Sequence, residues 1–267
     1  MLKILVCVKQ VPDVDLMEMD PETGNLVREG VPAILNPLDA HALSAAMELK
    51  ETYGGEVTAI TMGPPAAEAV LRDCLAVGAD RAVLVTDRAF ANADTLATSY
   101  SIAAAAAAVG QFDLILCGRE SLDGATGQMG PQLAERFGAA QVTNAGRILE
   151  LDSREKFLTI ERIVEKGVEK LEVRLPVLLT VNKGVYPQRV PGLKGKMRAK
   201  KAPILTLTCQ DIPGLDPKKI GDPGSPTKVP RTFPPKMPEP GIIIQEGSIQ
   251  ASVQKLCALL RSEGERQ

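Results

Sequence analysis

Residues 113–131 read DLILCGRESLDGATGQMGP, and the order of residue types along this stretch decides the fold. Phe112 to Cys117 is a short apolar run ending at Gly118, the pattern of a buried parallel strand. A polar loop follows, in which Gly118, Gly124 and Gly127 are interspersed with Arg119, Glu120, Ser121, Leu122, Asp123, Ala125, Thr126 and Gln128. It is longer and more polar than a plain strand-to-helix connection requires. Met129 and Gly130 lead into Pro131, a residue favoured in a first helical turn, and then the helical run QLAERFG. Strand, loop and helix start together place backbone N–H groups at the C-terminal edge of a sheet. Open α/β sheets bind ligands at that edge, and helix N-termini favour anions. Neither the dinucleotide fingerprint GxGxxG nor the phosphate loop GxxxxGK[ST] is present.

Working outward, Leu2 to Val8, Glu56 to Thr61 and Arg81 to Thr86 are three further apolar runs with strand character. Helical patterns separate them, beginning at Asn36-Pro37, after Pro64-Pro65 and at Asp94. This alternation, sustained to about residue 143, predicts an α/β protein with a doubly wound, mostly parallel sheet. The segment MDPETGNLVREGVP, with Pro21-Glu22-Thr23-Gly24 as a turn signal, predicts a small hairpin. Beyond residue 143 the pattern changes. Arg147 to Glu150, Lys156 to Val164 and Val168 to Leu175 read as an antiparallel meander, and Val177 to Val181 as a strand returning to the main sheet. Asn182 to Lys201 is basic and broken by Pro187, Pro191, Gly192 and Gly195; it is a solvated loop or a partner-docking loop. Asp211 to Gly241 is rich in Pro and Gly and predicts an extended arm. Ser248 to Leu260 predicts an amphipathic helix with Ile249, Val253, Leu256, Cys257 and Leu260 on one side. The division is therefore residues 1–208 as the α/β unit, with an insertion at about 146–175 and the basic loop at 182–201. Residues 209–267 form an arm and helix that wrap another subunit or pack back on their own domain.

The 267 residues carry a formal charge of −2 and are 45% hydrophobic, enough for one sizeable core. Near-neutral charge argues against nucleic acid as the main partner. Only 3% of residues are aromatic, with no Trp, which argues against base-stacking platforms. No apolar run approaches the roughly 20 residues of a membrane helix, and the N-terminus reads as a strand rather than a secretory signal. Five cysteines without a CxxC pair predict reduced thiols and a cytoplasmic protein. With a single histidine, His41, and no clustered ligands, no metal site is expected.

The chemistry-bearing residues fall at the C-terminal ends of the predicted strands. In DTLATS (94–99), Asp94 suits a helix cap, while Thr95 and Thr98 put hydroxyls beside free amides and suit a pyrophosphate. Asp123 suits a ribose hydroxyl or an Asx-turn. His41 lies within a helical pattern with no nucleophile motif around it, and no general acid–base pair stands out. These residues describe a nucleotide-binding protein whose cofactor carries any chemistry.

Several segments, in order and correctly spaced, give the chain a wider resemblance. They are VKQVPD (8–13), REGVPAILNPLDAHAL (28–43), TMGPPAAEAVLRDCLAVGADRAVLVTD (61–87), GRESLDGATGQMGP (118–131), LPVLLT (175–180) and RVPGLKGKMRAKK (189–201). Over nearly its whole length the sequence resembles the β subunit of electron-transfer flavoproteins. The resemblance implies pairing with an α subunit that carries an electron-transferring FAD, and an adenine nucleotide held by the β subunit. It places that nucleotide against Cys7, Asn36, Pro37, Leu38, Asp39, Met62 and Gly118 through Met129. It also makes Val190 to Lys201 the partner-recognition loop, with Leu193 as the anchor that enters a pocket of the dehydrogenase. TDRAFANADTLATSYSIA (86–103) and GSPTKV (224–229) look like the electron-bifurcating and nitrogen-fixation-linked branch. That branch implies FAD in this subunit, gripped at its pyrophosphate by Thr95 and Thr98, with Arg189 near the isoalloxazine if its loop folds over. NADH would supply a hydride, and single electrons would pass to an acyl-CoA dehydrogenase or related oxidoreductase and to ferredoxin or flavodoxin. The alternative is AMP in the same site and a subunit without a redox centre. A lone nucleotide-binding module of the stress-protein or hydrolase type is a third reading, opposed by the basic loop and the long arm.

Overall fold

A computed structural model describes residues 1–13, 16, 18–19, 26–27, 31–152, 154–228, 230 and 241–264. It divides into a unit spanning Met1–Pro230 and a second spanning Arg231–Gln267.

In the first unit the strands are β1 (Lys3–Cys7), β2 (Gln10–Pro12), β3 (Glu18–Met19), β4 (Leu26–Val27), β5 (Ala33–Leu35), β6 (Glu56–Met62) and β7 (Arg81–Val85). They continue with β8 (Leu114–Gly118), β9 (Ala140–Asp152), β10 (Phe157–Val164), β11 (Gly167–Arg174), β12 (Val177–Val181) and β13 (Leu205–Leu207). The helices are α1 (Pro37–Tyr53), α2 (Glu68–Val77), α3 (Thr95–Val109), α4 (Met129–Phe137) and α5 (Leu193–Lys201). Nine strands form one sheet in the order β11-β10-β9-β12-β8-β1-β6-β7-β13. From β9 to β13 every neighbour is parallel, and β10 and β11 extend the sheet as antiparallel strands. The predicted α/β architecture with an antiparallel meander is the observed one.

The two faces of the sheet follow from period-two alternation. In β1, Ile4 and Val6 point into the core beneath α1 and α2, while Leu5 and Cys7 point into the core beneath α3 and α4. β8 repeats this, with Leu114 and Leu116 on the first face and Ile115 and Cys117 on the second. Ile4, Leu5, Leu114, Ile115 and Leu116 are fully buried, each contributing about 1.5–3 kcal/mol by leaving water. Such two-sided burial explains why these strands read as continuous apolar runs.

Several boundaries differ from the sequence reading. β9 begins at Ala140, seven residues before the predicted Arg147, and pairs with β12 before it turns to β10. Polar Gln141, Thr143 and Asn144 hide that first half in the sequence. α4 begins at Met129, two residues before Pro131. α5 is a helix where prolines and glycines predict a loop. The short β13 extends the sheet beyond β7, unpredicted because its three residues carry no periodic signal. Of the expected arm, residues 211–228 belong to the first unit, with Ile212, Ile220 and Ser225 buried. The predicted hairpin exists as the β3–β4 pair, and its turn residues Pro21, Glu22, Thr23 and Gly24 lie outside the described residues. In the second unit, α6 (Ile249–Gly264) is capped by Ser248, whose Oγ accepts from the Ala251 amide (3.2 Å), and exposes Ile249, Val253, Leu256 and Leu260.

A candidate nucleotide site at the strand switch point

From β1 the chain steps outward to β6 and β7, then returns through α3 to place β8 on the other side of β1. The strand order thus reverses between β1 and β8, and their C-terminal ends open the crevice in which such sheets take ligands. Asp39, in the first turn of α1, spans that junction. Its Oδ1 accepts from the Gly118 amide (2.8 Å) at the end of β8, and its Oδ2 from the Lys9 amide (2.9 Å) just past β1. Its carboxyl is buried. Burial lifts its pKa to about 6, while hydrogen bonds from Gly118, Asn36 and Lys9 pull the other way. Gly118 must be glycine, because a Cβ there would lie 2.6 Å from the Leu38 carbonyl carbon and 2.7 Å from Asp39 Oδ1.

Asn36 precedes α1 yet does not use its side chain to cap the helix. Its Nδ2 instead donates to the Glu120 carbonyl (2.9 Å) and its Oδ1 accepts from the Leu122 amide (3.3 Å), pinning the central loop to the start of α1. Pro37 and Leu38 complete that turn. Within the loop, Ala125 N donates to Ser121 O (2.8 Å), and Asp123 is gripped by Lys9, whose Nζ lies 2.8 and 2.7 Å from its two carboxylate oxygens. Arg119 pairs with its neighbour Glu120 (2.5 Å). The amides of Thr126 and Gly127 make no hydrogen bond among the described residues, and the two residues lie just before Gln128, the N-cap of α4. Unpaired N–H donors at a helix start suit a phosphate.

On the other flank, Asp94 caps α3 through the Ala97 amide (3.0 Å) and accepts from the Thr227 amide (3.0 Å). Partial burial opposes its ionisation, but these hydrogen bonds hold it below its ordinary value. Thr95 Oγ1 donates to Gln128 Oε1 (2.9 Å) and accepts from Gln132 Nε2 (3.3 Å), so the starts of α3 and α4 lie side by side. Gln132 Oε1 is buried without a partner among the described residues, leaving an acceptor beside the Thr95 hydroxyl. Thr98 lies one turn further along α3 and is half-buried. Met62 and Met129, at the ends of β6 and the start of α4, are half-buried against the core under α3 and α4.

The structure therefore gathers Cys7, Asn36 to Asp39 and residues 118–129 around the switch point, with Thr95 joined to them through Gln128. Lys9 and Gln132 belong to the same cluster; Lys9 falls in the strand-end segment Cys7 to Pro12 that the sequence brings to this edge, without a role of its own, and Gln132 read only as part of the helical run QLAERFG. Burial and the charge of Asp39 push the Cys7 thiol well above its ordinary value, and Cys117 is raised by burial, Cys7 and Asp39. Neither thiol is a ready nucleophile. His41 is structural: it is buried, with Nδ1 2.6 Å from the Tyr186 carbonyl oxygen. The rim can bind and orient, and it leaves electron chemistry to whatever it holds. An open groove of about 800 Å3 at the other edge of the sheet, lined by Ala103, Ala107, Phe112, Phe137 and Pro176 among others, contains none of the predicted site residues.

Residues 23–212 match the electron transfer flavoprotein domain. The chain belongs to the electron transfer flavoprotein family. It is 44% identical to the electron transfer flavoprotein subunit beta of Thermoanaerobacterium thermosaccharolyticum, over 98% of both chains. It is 43% identical to the caffeyl-CoA reductase–Etf complex subunit CarD of Acetobacterium woodii, over 98% of this chain and 99% of that one. Protein FixA of Bradyrhizobium diazoefficiens is 43% identical over 86% of this chain and 82% of its own. Among electron transfer flavoproteins the chain thus stands with the β subunits of the FixA-like branch.

In this electron transfer flavoprotein subunit the basic segment is a built surface. Gly195 brings α5 against α2 so closely that a Cβ would lie 2.2 Å from Ala76 O. Arg72 donates to Ala199 O (2.6 Å) and Ala202 O (2.5 Å), and Arg198 to Leu75 O (2.9 Å). Pinned on that side, α5 leaves Leu193 77% exposed on the other, between exposed Val190 and Met197. Arg189 forms a bidentate pair with Glu51 (2.5 and 2.8 Å). Glu51 lies 12 residues beyond Asp39 in α1, which is about 18 Å along the helix.

Proposed function

We propose that this chain holds FAD at the β1–β8 switch point and, with an electron-transfer flavoprotein α subunit, accepts a hydride from NADH. Single electrons then pass to the α-subunit FAD and an acyl-CoA dehydrogenase or related oxidoreductase, and to a low-potential ferredoxin or flavodoxin. The observation that carries this reading is the joining of the α3 and α4 starts through Thr95, Gln128 and Gln132. The Thr95 hydroxyl, engaged with Gln128, and the Gln132 side-chain amide, engaged with Thr95, would turn to donate to a second phosphate there. The likeness to CarD, named for its place in a caffeyl-CoA reductase–Etf complex, supports a bifurcating assembly, and the likeness to FixA proteins supports the same branch. FAD would supply hydride acceptance and one-electron steps. This chain's residues would fix the adenylate through Asn36, Asp123 and the loop amides, and the pyrophosphate through Thr95, Thr98 and the Thr126 and Gly127 amides. Leu193 on α5 would be the apolar anchor for the dehydrogenase, set in a charged rim.

Quantifying extracted flavin and AMP from the purified heterodimer tests the reading. Two FAD per heterodimer is the expected result, and one FAD with one AMP would reject it. AMP in a non-redox subunit is the second reading, favoured by the engagement of the Thr95 hydroxyl with Gln128, which occupies the place a pyrophosphate would need. Under that reading, replacing Thr95 and Thr98 with valine leaves the nucleotide content unchanged.

A further inference from the structure

Lys9 is held at the crevice by its backbone. Its amide donates to Asp39 Oδ2 (2.9 Å) and its carbonyl accepts from the Asn36 amide (2.9 Å). The side chain is therefore the movable part, and it reaches to Asp123 on the loop across the crevice, 114 residues away in sequence. The pair is partly exposed, 47% for the Lys9 side chain and 35% for Asp123. An ion pair with that exposure is screened by water, so opening it costs little. The loop that carries Asp123 is exposed from Leu122 to Thr126. Burial opposes the charge on Asp123, and Lys9 and Ser121 hold it ionised. Removing Lys9 without a replacement donor would therefore leave a carboxylate short of partners. The other cation of this loop, Arg119, is matched by Glu120. An incoming anion consequently meets cations that are already paired, and it must bring something for the carboxylate it displaces.

A phosphorylated nucleoside brings both groups, an anion to accept from an ammonium and vicinal hydroxyls to donate to a carboxylate. We propose that Lys9 and Asp123 form a latch that such a ligand opens by double exchange. Asp123 gives up the ammonium for the sugar hydroxyls, and Lys9 gives up the carboxylate for a phosphate. This rests on the adenylate reading above and adds the source of its selectivity. A nucleoside without phosphate strands Lys9, and inorganic phosphate strands Asp123. Lys9 is thus a specificity-determining residue for the phosphate, although the preceding strand end gives it no phosphate-loop signature.

The test uses the full-length chain in its heterodimer with the α subunit, stripped of the nucleotide bound here. It is titrated calorimetrically with AMP, adenosine and 2′,3′-dideoxyadenosine, with the unfolding midpoint of each variant as the folding control. Lys9→Gln is expected to lower the ratio of AMP to adenosine affinity about tenfold, the scale of one charge-assisted hydrogen bond. Asp123→Asn is expected to abolish the preference for adenosine over its dideoxy analogue. It should also raise the AMP-to-adenosine ratio about threefold, because Lys9 no longer has a carboxylate to leave. An AMP-to-adenosine ratio unchanged in both variants, with wild-type binding intact, overturns the latch alone. A wild-type heterodimer that binds none of the three compounds overturns the adenylate reading and the latch with it.

Discussion

Asp39 keeps a carboxylate out of water with amide donors from the ends of two strands, and this makes its protonation part of the fold's stability. Its pKa of about 6 lies above its ordinary 3.8. Between those values the folded protein takes up a proton that the unfolded chain does not. The contribution of Asp39 to stability is therefore greatest below about pH 4 and falls as pH rises through 6; at neutral pH the penalty is on the order of 3 kcal/mol. Urea unfolding of wild type and Asp39→Asn across pH 4–8 checks this. The difference, wild type minus variant, is expected to become more favourable to wild type as pH falls, and a flat or opposite trend would remove Asp39 from the account. At this scale the sequence disclosed identities but not pairings. Gly118, Asp39 and Asn36 were each visible, but that one carboxylate ties both strand ends depends on an 8-to-1 strand adjacency that no local pattern encodes.

The elements that read most plainly are those whose local chemistry and burial agree. β8 is apolar on both faces because helices cover both, and α1 opens with Asn36-Pro37 and closes near Gly54, whose φ of +74° suits glycine. α5 is the counterexample. Gly195 and the preceding prolines lower its helical propensity, and contact with α2 outweighs them. Two substitutions separate the roles of its two sides. Leu193→Ala, on the 77% exposed side, is expected to slow electron transfer to the dehydrogenase in stopped-flow assays while nucleotide content and melting midpoint stay unchanged. Gly195→Ala forces a Cβ to within 2.2 Å of Ala76 O, and is expected to cost about 1–3 kcal/mol of stability and to slow transfer as well. Equal loss of bound nucleotide in Leu193→Ala would make that residue part of the fold instead of a docking anchor.

For the molecule as a whole, the division after Pro230 separates the proposed nucleotide site from the proposed grasp of a partner. A chain ending at residue 230 is expected to melt within about 5 °C of the full chain, having lost no core element, and to keep its nucleotide. Its association with the α subunit, followed by size-exclusion chromatography, is expected to weaken. A collapse of the melting midpoint would show that residues 231–267 complete the core. Within the first unit, α1 serves both proposed regions. Its first turn carries Asp39, and along its length it meets the irregular segment leading into α5: Gln188 Nε2 donates to Pro37 O (3.0 Å), His41 faces Tyr186 O, and Glu51 holds Arg189. The proposed docking patch and the proposed cofactor cradle therefore hang from a single rod, so their separation is set by helix geometry rather than by linker slack. Under the proposed function, a protein that clasps Leu193 inherits a fixed bearing toward the cradle, and the route an electron would cross keeps its length from one encounter to the next.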